Sequence, residues 1–383
     1  MSLFRGAQVW TPKGMERLDF RVEEGKITEI GVELKAPGTN VIGLEGTYVY
    51  PGFIDAHTHV GIMEEKAGGV AGNDTNEISD PALAGIRALD AASPHDPGIS
   101  SGRNYGFTTV CVLPGSANVI GGEGIVIKTY GTCIDEMLVP TPKKIIKMAF
   151  GRNPMGVWSE QKKFPSTRLA VAAVLRRKLH QASNYQKKGE KEFDYEMENL
   201  VSLLEGRGVA RMHVANLEDI EAVDRVMKEW QIEYVLDHAT ALHKNPKFAK
   251  DLGVPVILGP IHASPRSFQT YDLSFECIPI LLSQGILLSL MTDAPVIPLP
   301  FARMQLWIAD RYRLDRNELM KMITINPAKT LGIDDRVGTI EQGKDADFVI
   351  MDGDFFDYRS KILDTYINGD RVGGEADEYP NAL

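Results

Sequence analysis

Between residues 51 and 334 short apolar runs alternate with amphipathic stretches, and this alternation restricts the fold more than any other feature. The runs centre near residues 53, 107, 125, 145, 209, 232, 255 and 286. Most are apolar almost without a break, which suits strands covered on both faces of a parallel sheet. Eight such units predict an α/β fold, a (β/α)8 TIM-like barrel. Helices are expected over "DPALAGIRALDAAS", with Asp80 as N-cap and Pro81 in the first turn, and over "LEDIEAVDRVMKEW". A long helical stretch begins at Pro165, and its charged middle, "KKGEKEFDYE", reads as a solvated face or connection. Two final helices are expected from about 299 to 331.

Residues 1–50 have a different texture. Short strands and turns dominate, and "EEGKITEIG" reads as a hairpin with Gly25 at its turn. The same texture returns over 335–383, in "RVGTIEQGKDADFVIMDGD" and "KILDTYINGDRV". The two ends are therefore expected to pair as one small β-sandwich domain beside a barrel spanning 51–334.

The formal net charge is −10, which argues against a general binder of nucleic acid or membrane surfaces. The longest apolar stretch, "IPILLSQGILLSLM", is too short and too interrupted to span a bilayer. The first residues carry no targeting pattern. Cys111, Cys133 and Cys277 are an odd, widely spaced set, expected as reduced thiols of a cytoplasmic protein, with Cys111 and Cys277 as buried filler.

In such a barrel the chemistry lies at the C-terminal ends of the strands. "GFIDAHTHV" puts His57 and His59 two positions apart, so both leave one face of the first strand. Polar residues also end or interrupt other apolar runs: Lys147 in "IIKMAFG", His238 in "VLDHAT" and Asp293 in "LLSLMTDAP". Buried singly, each would cost a few kcal/mol, about 1–7 by common scales; gathered around a cation, they satisfy one another. Imidazole and carboxylate donors suit Zn²⁺, with Fe or Mn as alternatives. A bound cation would bring a water toward neutral ionisation, and Asp293 could ligate the ion, take the proton, or both.

These residues, in this order, resemble the amidohydrolase superfamily of metal-dependent hydrolases, and the resemblance runs through essentially the whole chain. "PGFIDAHTHVG" and "YGFTTV" resemble its first two strand motifs, and "TINPAKTLGIDDRVGTIEQGKDADFVIMD" its C-terminal signature. "LPGSANVIGGEGIVIKTYG" resembles the loops of the imidazolonepropionase-related subgroup. The resemblance implies His57 and His59 as strand 1 metal ligands, His238 as the strand 6 histidine and Asp293 as the strand 8 aspartate that ligates and moves protons. It also implies a small-molecule substrate and a homo-oligomer. The strand 4 lysine, carboxylated in members with two metals, matches Lys147 on strand count, with Lys128 in "GIVIKTYG" as its rival.

The pattern departs from the family at strand 5. "RMHVANLED" has Ala215 where a ligand histidine is expected, and His213 lies two residues earlier, about 6–7 Å lower along the strand. Asn216 should face the other way. Ala294 replaces a histidine common in near relatives. One metal ion is therefore expected rather than two.

The resulting reading is a hydrolase of non-peptide C–N bonds, with a cyclic amide or small dipeptide-like substrate. Asp293 would shuttle the proton while His238 stabilises the oxyanion. The alternatives are an amidine deaminase on the same site and a catalytically inactive binding relic, motivated by Ala215. Asn76 and Glu77, in "GNDTNEISDP", are candidate substrate contacts or parts of a solvated loop. Gly121 and Gly122 could offer backbone N–H groups to a substrate or simply form a turn. His243 and His262 could reach substrate or lie at the surface, and His95 and His180 read as surface residues.

Overall fold

A computed structural model of the chain describes residues 1–65, 72–188, 192–262 and 271–378. It contains two eight-stranded sheets. The first gathers the two ends of the chain: β1 (Ser2–Thr11), β2 (Gly14–Glu23), β3 (Lys26–Gly31), β4 (Asn40–Gly43) and β5 (Tyr48–Pro51) from one end. The barrel strands follow in sequence: β6 (Phe53–Thr58), β7 (Phe107–Val112), β8 (Ile120–Lys128), β9 (Lys144–Ala149), β10 (Gly208–Val214), β11 (Tyr234–His238), β12 (Val256–Leu258) and β13 (Leu288–Leu290). β14 (Phe348–Met351), β15 (Ile362–Ile367) and β16 (Asp370–Gly373) then complete the terminal sheet.

The terminal strands form one connected sheet that forks along β1. Residues Ser2–Arg5 pair with β4, whereas Gln8 and Val9 pair with β5. The register slips between Phe4 and Ala7, where Gly6 takes a φ of +82° that a side chain would strain. The aromatic rings of Phe4, Phe20 and Phe348 fill the space enclosed, with centroids 4.9–5.0 Å apart.

In the barrel, β6–β7 and each neighbouring pair from β9 to β13 are parallel. β8 is not: it runs antiparallel to both β7 and β9. This corrects the expectation of eight parallel strands. Only 113–119 separate β7 from β8, too few for a crossover, which needs a dozen residues or more. The two strands therefore close as a hairpin at the C-terminal end of the barrel.

The helix expected over 80–93 is absent. Ala82 and Arg87 instead make parallel bridges to Ile120 and Glu123 of β8, so the edge that a following helix would have covered is taken by extended chain. The same Asp–Pro signal recurs sixteen residues on and is used there. Asp96 caps the helix Pro97–Asn104, accepting from the Gly98 N–H, with Pro97 in the first turn. Asp80 merely closes a turn on the Ala82 N–H. The helix Leu217–Trp230 forms as expected. The long helical stretch splits into Arg168–Lys187 and Tyr195–Leu204, and its charged middle lies partly outside the described residues. Between 299 and 331 there are three α-helices rather than two, Ala302–Asp310, Arg316–Lys321 and Ile325–Leu331. Among the described residues no helix is long and apolar enough to cross a membrane.

Candidate active site

The barrel closes between its first and last strands through a buried side chain together with backbone hydrogen bonding. The buried Asp55 carboxylate accepts from the His57 N–H at 3.0 Å on one oxygen. Its other oxygen accepts from the Thr292 N–H at 2.8 Å and hydroxyl at 2.6 Å. Burial pushes the Asp55 carboxyl up to about 7, against these hydrogen bonds. The His59 N–H donates to the Ala294 carbonyl at 2.7 Å. The histidines of β6 and the aspartate beyond β13 are thereby held in register.

At this C-terminal end lies a cavity of about 360 Å³ lined by His59, His213, Ala215, His238 and Asp293. The five residues singled out in the sequence meet beneath or beside it. His57 Nε2 and His59 Nε2 lie 3.3 and 3.2 Å from Asp293 Oδ1. Lys147 Nζ is 3.2 Å from His57 Nε2. One donor atom from each of His57, His238 and Asp293 lies within 4.8 Å of the others. His238 and Asp293 stand in the left-handed backbone region, with φ of +69° and +57°. For non-glycine residues this costs about 1–3 kcal/mol each and is concentrated at functional sites. At His238 the turn swings the ring back toward the centre, so both Asp237 and His238 reach the interior although they are adjacent on a strand.

The hydrogen bonds fix which nitrogens are free. His59 Nδ1 lies 2.6 Å from the Leu113 carbonyl and His238 Nδ1 2.7 Å from the Gly259 carbonyl. A carbonyl only accepts, so each Nδ1 carries a proton and each ring turns its Nε2 to the site, as a lone pair wherever the ring is neutral. His238 Nε2 and Asp293 Oδ1 have no hydrogen-bond partner among the described residues. A lone pair facing a carboxylate oxygen at 3.2 Å needs a proton or cation between them. The donor set therefore fits a metal ion. With its Nδ1 proton on the Gly259 carbonyl, a neutral His238 offers the site a lone pair rather than an N–H.

Electrostatics reinforce the arrangement. Burial lowers the His57 and His238 rings, the latter to about 4, keeping both neutral as a ligand requires. Burial also brings Lys147 down to about 8, although Asp237 and Asp293 oppose it. For Asp293 burial acts upward, yet the His57, His59 and His238 rings gathered around it hold its carboxyl well below the usual range.

Lys128, the rival to Lys147, is remote from the cavity. β8 runs the other way, so its last residue lies at the opposite end of the barrel, where Nζ donates to Asp345, Asp347 and Asn368. His213 lies higher than its spacing predicts. It lines the cavity, its ring centroid 4.2 Å from that of His238, and its Nε2 is 3.2 Å from Asn153 Nδ2. The strand level is as expected, since His213 pairs with Asp237; the side chain makes up the difference. Asn76 reaches the cavity rim, while the exposed Glu77 accepts from the Ser79 N–H instead. Gly121 and Gly122 lie within β8, where a Cβ on Gly122 would come 2.4 Å from the Ile86 carbonyl. Their absent side chains admit the neighbouring chain, and neither lines the cavity.

Sequence reasoning missed Asp55, Asn153, Arg211 and Asp237. Arg211 and Asp237 had a signal: each is a charge inside an otherwise apolar buried strand. Strict inside–outside alternation hid Asp237 behind its neighbour His238.

Residues 235–372 match the amidohydrolase family. The solved structure of an amidohydrolase from Thermotoga maritima MSB8 superposes with a TM-score of 0.93 at 38% identity, covering 97% of this chain and 99% of that one. The amidohydrolase tasK of Hapsidospora irregularis is 28% identical over 388 residues, which cover 92% of this chain and 39% of tasK. A dihydroorotase from Macrococcus caseolyticus is 30% identical over 118 residues, 31% of this chain and 22% of its own length. The chain thus spans less than half the length of these two curated relatives.

Proposed function

The chain belongs to the amidohydrolase family, and we propose that it is a metal-dependent hydrolase of non-peptide C–N bonds, acting on a cyclic amide or small dipeptide-like molecule. The observation that carries this reading is the convergence of His57, His238 and Asp293 donor atoms within 4.8 Å of one another beside a small cavity. His57, His59, His238 and Asp293 would hold one divalent ion, with zinc favoured by the imidazole and carboxylate donors. When bound, such an ion supplies Lewis-acid polarisation of water and of the scissile carbonyl. Asp293 takes the proton of the attacking water and returns it to the leaving nitrogen. His238 serves as a holder of the ion, because its Nδ1 proton is committed to Gly259. Lys147, brought toward neutrality by burial, sheds its proton more readily than a solvated lysine and so relieves repulsion with a dication beside His57. Within the family, "LPGSANVIGGEGIVIKTYG" supports a place beside the imidazolonepropionase-related members.

The test is metal content by elemental analysis, together with hydrolysis of a panel of dihydropyrimidines, hydantoins and β-linked dipeptides, on wild type and Asp293→Asn. The reading expects about one equivalent of zinc, iron or manganese and turnover that Asp293→Asn removes. Ammonia release from amidines without ring opening would favour a deaminase. Ala215 on the cavity wall favours a second reading, a binding relic; bound metal with no turnover on any substrate would support it.

A further inference from the structure

Beneath the cavity a buried arginine and a buried aspartate have no place in the reaction just described. Arg211 of β10 and Asp237 of β11 are both essentially inaccessible to solvent. The guanidinium donates twice to one carboxylate oxygen: Nη2 lies 2.6 Å and Nε 3.2 Å from Asp237 Oδ1. The other oxygen, Oδ2, is turned away from the arginine and lies 3.2 Å from His57 Nδ1. Neither of these two atoms has a hydrogen-bond partner among the described residues, so they face one another as a close contact with nothing else to satisfy either. Arg211 also donates to the Ala56 carbonyl at 2.8 Å, the residue just before His57 in β6. It thus ties the backbone of one strand to the carboxylate of another across the barrel interior.

We propose that Arg211 and Asp237 form a positioning pair that holds the proton of His57 on Nδ1 and so presents Nε2 to the cation site. The inference rests on the metal-dependent reading above. His57 differs from its two partners in this respect. His59 and His238 each place their Nδ1 proton on a backbone carbonyl, which can only accept. Among the described residues His57 Nδ1 reaches no such carbonyl, and its Nε2 faces both Asp293 and Lys147 at nearly equal distances. The Asp293 carboxylate would draw the proton to Nε2, and the Lys147 ammonium would keep it away. An ionised Asp237 on the far side decides the contest in favour of Nδ1. Arg211 cannot be deprotonated in a protein, so it keeps Asp237 charged where a lone buried carboxylate would be neutralised. Spending both arginine contacts on Oδ1 leaves Oδ2 for the histidine. A histidine ligand with a carboxylate behind it is both oriented and made a stronger donor.

The experiment compares wild type, Asp237→Asn, Asp237→Glu and the double variant Arg211→Met/Asp237→Asn as full chains. The double variant removes both buried charges and guards against a single variant that fails to fold. Two quantities are read: ¹⁵N shifts of the His57 ring in metal-free protein, and Zn²⁺ affinity by competition with a chelator. Wild type is expected to show a protonated Nδ1 and unprotonated Nε2. Asp237→Asn and the double variant should move the proton onto Nε2 or mix the tautomers, and should weaken Zn²⁺ binding about 10- to 100-fold, with Asp237→Glu recovering part of both. A purely structural pair would lower thermal stability and leave both readouts of the folded protein unchanged. An unaltered His57 tautomer together with Zn²⁺ affinity within about twofold of wild type in Asp237→Asn overturns the proposal. Should wild type bind no Zn²⁺, the metal-dependent reading fails on its own, and the ¹⁵N spectrum still decides whether Asp237 sets the tautomer.

Discussion

Lys147 and Lys128 end similar stretches of sequence, "KKIIK" and "GIVIK", and both are buried. Their surroundings are opposite. Lys128 donates to Asp347 at 2.5 Å, to Asp345 at 2.9 Å and to Asn368 at 3.2 Å. These partners come from the returning end of the chain, so the lysine ties the open end of the β7–β8 hairpin to the terminal sheet. Lys147 has no carboxylate ion-pair partner among the described residues, and its Nζ lies 3.2 Å from an imidazole nitrogen. A buried charge that is fully matched serves the fold. One left unmatched, with its ionisation pulled toward neutrality, is available to chemistry. Apolar flanking sequence is the same in both cases; only the third dimension separates them.

The sharpest test of this contrast lies on the unmatched side. Asp293→Asn should lower turnover by about 10²- to 10⁴-fold while its thermal midpoint stays near wild type; a large fall in the midpoint with little loss of turnover would erase the distinction. On the matched side, Lys128→Met should destabilise by about 3–5 kcal/mol, because it strands buried carboxylates. Urea unfolding would show this, and turnover per folded molecule should be unchanged. Lys147→Met should do the reverse, leaving unfolding free energy unchanged or raised and abolishing turnover. The smallest effect is one of pH. Lys128, Lys26 and Arg336 overcome burial and hold Asp345 below its ordinary 3.8, so its contribution is present above that pH and fades as pH falls below it. Burial raises Asp347 despite Lys128, so its contribution has the opposite sign and partly cancels the first. Asp347→Asn should therefore steepen the loss of stability in acid and Asp345→Asn should flatten it, as read from urea midpoints between about pH 3 and 6.

What the sequence made legible follows from which signals are local. The β6 histidine pair, His238 and Asp293 each follow an apolar run, and strand ends are where a barrel gathers its polar groups. The hairpin at Gly25 and the helix Leu217–Trp230 rest on turn chemistry and periodicity, which need no partner. The failures all depended on a partner. Asp80–Pro81 and Asp96–Pro97 are equal as capping signals, and only the second is free of a neighbouring strand; the first lies beside β8 and is drawn into extended pairing. The reversed direction of β8 is written in the length of 113–119 rather than in any strand pattern. Asp237 was hidden because alternation assumes a regular pleat, and the left-handed backbone at His238 breaks it. His213 was placed too low because spacing along a strand says nothing of how far a side chain leans.

The β7–β8 hairpin also limits how this protein can diversify. In a regular barrel every strand delivers its own loop to the mouth, and each loop can lengthen independently. Here two strands share one short turn there, and Gly115 and Ser116 in that turn line the cavity. Lengthening it would disturb a strand register on both sides. The connection from β8 to β9 can grow freely, but it emerges at the far end and never meets a substrate. Altered substrate range in descendants or designed variants should therefore be sought in the long segment between β6 and β7 and in the chain beyond β12 and β13, with the hairpin side of the mouth kept as a fixed wall.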